Sequence, residues 1–192
     1  MLDPASGEAV DVPAQQGVDR QAIHAEMEQA RVVFHQLVGH ATAVDLRRAS
    51  DGTRWNNEQL LFHMLFGYMV VRRLVFVVRL FGRLPAGVSR VFAKLLDFGT
   101  ALFDVVNYYG SCGGARVFAN GRMVAEFDRV VASLHRRLDA DSEKDLQLGM
   151  HCPVRWDPFF EDFMTLAQMY HFATQHFEFH QNQLTLGQQS PR

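Results

Sequence analysis

Lysine is nearly missing from this chain: of 19 basic residues only Lys94 and Lys144 are lysines, the rest being arginine. Lysine codons are poor in G and C, so the bias hints at a GC-rich genome. Charge of either sign is also scarce in net terms. Nineteen basic against 21 acidic residues leave −2, which gives no global field for nucleic acid or an anionic membrane surface. Cysteine appears twice, as Cys112 and Cys152. That is too few for a disulfide framework, and the spacing makes no Cys-x-x-Cys pair, so a reduced cytoplasm is the expected compartment. The first residues lack the basic and then apolar layout of a secretory signal. No internal repeat, Gly-rich phosphate loop, Gly-x-Ser-x-Gly elbow or paired-carboxylate motif is present. The longest apolar run, Leu60 to Phe81, is interrupted by His63, Arg72, Arg73 and Arg79. Four such groups are costly in a bilayer centre, so the run reads as a buried helix rather than a membrane span.

What is present is helical periodicity. Residues 1–17 are rich in Pro, Gly, Ala and acids without period, and read as a mobile tail before one domain over residues 18–186. A first helix is expected from Asp19 to about Ala49, with Ile23, Met27, Ala30, Phe34, Leu37, Ala41 and Val44 as its apolar stripe. His24 and His35 fall beside that stripe and His40 elsewhere. A second helix follows Trp55, with Asn56 as N-cap and Gln59 completing a capping box. Its stripe reads Leu60, His63, Gly67, Val70, Leu74, Val77, Phe81, which puts a chargeable imidazole in an apolar seam. Arg72, Arg79 and Arg83 lie on another side and read as a solvated face or as partners for acids on a neighbouring helix. A carboxylate or phosphate patch is the alternative.

Residues 82–118 form a long connection with apolar residues of its own, expected to hold short helical pieces and a flexible turn at Tyr109–Gly114. A third helix is expected from about Asn120 to Leu138, on Met123, Phe127, Val130 or Val131, Leu134 and Leu138, with His135 exposed. A polar loop follows. In it, His151-Cys152-Pro153 is a weak ligand pair without a spaced partner. The last helix is expected from Pro158 to about Leu186, with Asp157 as its cap and Pro158 at the first position. His176 and His180 stand four residues apart on it, on the side of Met169, Phe172 and Ala173, while His171 faces the other way. Unpaired imidazoles on an apolar face need a reason, and a shared metal ion is one.

Four amphipathic helices predict an all-α bundle. In a bundle, His63 and the pair His176 and His180 can converge, and three imidazoles on one ion leave positions open, as in a catalytic site. No general acid or base stands out beside them.

Two stretches carry a resemblance. Trp55-Asn56-Asn57-Glu58-Gln59-Leu60-Leu61-Phe62-His63 is similar to the opening of the second helix in the DinB-like (DinB/YfiT-like) metalloenzyme family. His176-Phe177-Glu178-Phe179-His180-Gln181-Asn182-Gln183-Leu184 matches that family's closing His-x-x-x-His-x-x-Gln-Leu. The resemblance spans roughly residues 18–186, with a connection at 82–118 longer than usual. It implies an up-down-down-up four-helix bundle with a long crossover between helices two and three. It also implies a metal held by His63, His176 and His180, zinc or nickel, and a homodimer. The activity it implies is thiol-dependent: transfer of a low-molecular-weight thiol to a small-molecule electrophile, or a thiol-dependent isomerisation. The arginine bias favours mycothiol as that thiol. The readings that stay open are a hydrolase, isomerase or cyclase that needs metal but no thiol, and a non-catalytic ligand-binding bundle.

Overall fold

The computed structural model describes residues 17–119 and 121–187; the tail expected at residues 1–17 lies, but for Gly17, outside them. Helices dominate, with one small two-stranded sheet among the described residues. The first helix, α1 (Arg20–His40), is capped by Asp19, whose carboxylate accepts the Ala22 N–H. It buries Ile23, Met27, Ala30 and Phe34 as its stripe predicts. It stops at His40 instead of running to Ala49, because Thr42 and Asp45 build a capping box that starts a separate turn, α2 (Ala43–Arg47). Val44 is therefore exposed rather than in the core.

The central element is α3 (Asn57–Phe81), with the predicted Asn56–Gln59 capping box formed in both directions. Its apolar character is all-round, because both sides are covered. Leu61, Leu65, Tyr68, Val71, Val75 and Val78 enter the core shared with α1 and the later helices. The predicted stripe is split: Leu60, His63 and Gly67 are buried, Leu74, Val77 and Phe81 pack half-buried against the core, and Val70 is half-buried outside it. α3 is long and apolar enough to cross a membrane, but 56% of its most apolar window is buried inside the protein.

The connection at 82–118 is two helices, α4 (Ala86–Phe98) and α5 (Thr100–Val117), joined at Gly99. They return along α3. Phe92 stacks on Phe81 near the end of α3, and Phe118 stacks on Phe62 near its start. The turn expected at Tyr109–Gly114 is absent, since α5 runs straight through it. Close packing explains Gly114, where a Cβ would lie 2.1 Å from the Phe62 ring, but not Gly110 or Gly113, which have nothing within 4 Å.

α6 (Arg122–Ala140) buries Met123, Phe127, Val130, Val131, Leu134 and Leu138, as read from sequence. After it come α7 (Glu143–Leu146), β1 (Gly149–His151), β2 (Phe163–Thr165) and α8 (Leu166–Gln181). The last helix thus begins eight residues later than expected. Asp157 and Pro158 do start a turn, in which Asp157 accepts the Phe159 N–H, but it is not continued. Phe163 and Met164 pair antiparallel with His151 and Met150 instead, and Thr165 with Gln168 makes the capping box of α8. α1 and α3 each pack against both α6 and α8, and Phe34, Tyr68, Phe127 and Phe177 cluster where these four meet.

Arg79 and Arg83 are the partners of neighbouring acids that the sequence suggested. Arg79 pairs with buried Asp141, which also accepts the Tyr170 hydroxyl, and Arg83 pairs with Asp145. His135 is half-buried, not exposed, and stacks on His24. His171 bonds Glu26, away from the other histidines of its helix. His151 reaches Asp162 across the sheet.

Candidate metal centre

His63 lies on the second turn of α3, and His176 and His180 on the last turns of α8. The packing of α3 on α8 brings the three rings together, with centroids 5.0, 4.6 and 4.6 Å apart. One nitrogen from each lies within 4.8 Å of the others, and all three residues are buried. The nitrogens of a tetrahedral set with bonds of about 2.0 Å lie roughly 3.3 Å apart, inside that limit.

Each ring is tied at Nδ1 by a group from a different segment. His176 donates to a carboxylate oxygen of Asp157 at 2.8 Å. His180 donates to the amide oxygen of Gln183 at 2.7 Å, and His63 is 3.2 Å from the hydroxyl of Ser111 on α5. Partners of this kind fix the tautomer and aim the other nitrogen. That nitrogen on His176, Nε2, is buried with no hydrogen-bond partner, a state that costs about 1–3 kcal/mol unless something occupies it. Burial, then the nearby His176 and His180, hold the His63 imidazole well below its ordinary pKa. Burial, then His176, push His180 down to about 4 against an opposing pull from Gln183 and Asp157. Both rings are neutral at pH 7, as ligands must be. Three imidazoles with anchored Nδ1 atoms, one of them with an orphaned Nε2, fit a divalent metal ion.

The sequence around the site serves the rings. Gly67, one turn after His63, leaves the space that His176 fills; a Cβ there would be 2.5 Å from His176 Cδ2. Trp55 stacks on His63 with centroids 4.4 Å apart. Asn57, fully buried, bonds the Asp45 carbonyl and both the backbone and hydroxyl of Thr185, which pins the chain leaving α8 to the start of α3.

Beyond the rings lies a cavity of about 260 Å³. Val70 and Leu74 of α3, Phe92 and Leu96 of α4, Phe103 of α5 and Phe172 of α8 are among its walls. His63, Gly67, Val70 and Leu74 of the predicted α3 stripe line this cavity, with α4 and α5 as its roof. Cys152 also lines it, and burial pushes that thiol up to about 12, so it stays protonated. Sequence reasoning gave Asp157 only a capping role and missed Ser111 and the cavity. Gln183 was in view as part of the closing motif, without a role.

A family model described as the DinB superfamily matches residues 26–184. Neither the curated proteins nor the solved structures yield a match to this chain.

Proposed function

The chain belongs to the DinB superfamily, and from that premise we propose that it is a metal-dependent transferase joining a low-molecular-weight thiol to a small electrophile. The observation that carries this reading is the buried, unpartnered His176 Nε2 among three imidazoles whose other nitrogens are already anchored. His63, His176 and His180 are the ligands in this reading. A divalent cation there, zinc or nickel, would acidify a thiol and supply the nucleophilic thiolate at neutral pH. Asp157, Gln183 and Ser111 keep the ligand nitrogens aimed. Trp55 and the aromatic walls exclude water. Burial pushes the Cys152 thiol up to about 12, so on its own it is a poor source of thiolate at neutral pH. That favours a thiol brought in from solution, mycothiol being the first choice on the arginine bias, and a reducing cytoplasm as the setting.

The finer fold we infer is the up-down-down-up bundle of α1, α3, α6 and α8. It is supported by the return of α4 and α5 along α3, which lets α6 start at the same end as α3. We also infer pairing with a second copy through the outer face of α4 and α5. Val91, Leu95, Phe98, Leu102, Val105 and Tyr109 recur at spacings of four and three and are 52–90% exposed. Their exposed area, on the order of 800 Å², equals one partner's share of a standard interface.

The test uses tag-free protein loaded with zinc or nickel, incubated with mycothiol and a chromogenic aryl halide. Adduct formation that needs both metal and thiol is expected. No adduct above the uncatalysed rate refutes the transferase. Turnover that needs metal but no thiol points to the hydrolase, isomerase or cyclase class. Protein that binds neither metal and gains no thermal stability from them is a non-catalytic bundle.

A further inference from the structure

Two hollows meet at His180, and they differ in chemistry. The inner one is the 260 Å³ cavity, whose walls are almost all aliphatic or aromatic. Its carboxylate, Asp157, is already engaged at both oxygens by Phe159 and His176. The outer one, about 440 Å³, is lined by Arg54, Asp104, Tyr108 and Gln183 among others. Trp55, Asn107, Phe179 and His180 line both and form the partition. Two of these four carry buried polar atoms without a partner: the indole N–H of Trp55 and the side-chain oxygen of Asn107. One is a donor and the other an acceptor. Buried polar groups are rarely left unpaired, and two in one partition beside a reactive centre call for an occupant.

We propose that the inner cavity binds an uncharged, apolar molecule with a single neutral polar end, such as a hydroxyl or primary amide. That end accepts from Trp55 Nε1 and donates to Asn107 Oδ1 at the partition, next to the histidines. A cavity of about 150 Å³ holds benzene, so this one suits a bicyclic ring or a chain of roughly eight to ten carbons. A carboxylate or ammonium end is disfavoured in the metal-free protein, because no lysine or arginine lines the inner cavity, its carboxylate Asp157 is already engaged, and burying a charge is costly. The polar cosubstrate then approaches from the outer hollow. This assignment of sides rests on the transferase reading; the binding of an apolar ligand does not.

The protein's two tryptophans, Trp55 and Trp156, both line the inner cavity, so intrinsic fluorescence reports occupancy directly. The full chain, metal-free and zinc-loaded, is titrated with 1-octanol and with octanoate at pH 7. The metal-free protein is expected to bind 1-octanol saturably and octanoate at least about tenfold more weakly. Asn107→Leu is expected to weaken 1-octanol about tenfold. Val70→Phe, or Leu74→Phe should the first not fold, is expected to abolish binding while zinc stoichiometry and helical circular dichroism stay as in the parent. Octanoate binding to metal-free protein as tightly as 1-octanol overturns the proposal. So does full 1-octanol affinity in a folded cavity-filling variant. Loss of the transferase reading alone leaves the metal-free titration unchanged, so the two failures are told apart.

Discussion

Asp157→Asn separates two roles for one residue. As the cap of a long helix, Asp157 would lose little on replacement by Asn, which caps as well as Asp does. In the structure the residue does something else. One carboxylate oxygen accepts the Phe159 N–H at 2.9 Å and the other accepts His176 Nδ1–H at 2.8 Å. Asn keeps the volume but offers one acceptor oxygen, so it cannot serve both donors. It also replaces a charge-assisted hydrogen bond by a neutral one of about half the strength. His176 then loses its orientation and part of its basicity. Outer-sphere partners of this kind change metal affinity by about 10–100-fold, or about 1.4–2.7 kcal/mol. The assay is zinc affinity by competition with a chromogenic chelator at pH 7, paired with denaturant unfolding of the metal-free proteins. A tenfold or greater loss of affinity is expected, with metal-free stability changed by no more than about 1 kcal/mol. Affinity within twofold of the parent would show that Asp157 does not steer His176, and would return it to the role of a turn residue.

Gly67→Ala inserts a Cβ 2.5 Å from His176 Cδ2 and 3.0 Å from its Nε2. Helix propensity favours the alanine by about 1 kcal/mol, yet the ring must move, so chelator competition should show zinc affinity down at least about tenfold while helical circular dichroism is retained. The metal-free protein should lose stability as pH falls from about 6.5 toward 4. Unfolded, His180 takes up its proton near pH 6.5; folded, it does so only near 4, so the unfolded chain holds more protons in that window and stability rises with pH. The shift corresponds to about 3 kcal/mol, His63 adds to it with the same sign, and urea midpoints at pH 7, 5.5 and 4.5 measure the slope; a flat profile refutes the buried neutral imidazoles. Phe98→Asp, at a side chain 90% exposed on the outer face of α4, should convert a dimer to a monomer by light scattering without loss of helical signal; an unchanged mass contradicts the proposed interface.

His63, His176 and His180 were legible as candidates because helical spacing is regular. Spacing does not fix the axial level of a helix, however, and it was the family resemblance that joined them in one site. The i,i+4 pair fixes a direction on α8, the Asn56 capping box fixes the start of α3, and α3 packs on α8. The orienting partners left no such trace. Ser111 sits in a run with Gly110, Gly113 and Gly114 that reads as a turn. It stays helical because Gly114 lets α5 press on Phe62, a long-range contact that no local propensity contains. Asp157-Pro158 is a true turn signal whose continuation is decided elsewhere, by the pairing of Phe163 and Met164 with β1. The α3 stripe was misassigned in part, at Val70 and Leu74, for a related reason. A helix covered on both sides has two apolar faces, and periodicity alone does not say which faces the core and which a cavity. Leu61, Leu65 and Tyr68 take the core, so Val70 and Leu74 are left to line a space roofed by α4 and α5. The residues that hold the three rings therefore follow from helix geometry, while those that aim the rings and shape the cavity come from α5, the 153–162 turn and the exit of α8. Substitutions confined to these three segments should alter ring orientation and ligand choice while leaving the buried core of α1, α3, α6 and α8 intact.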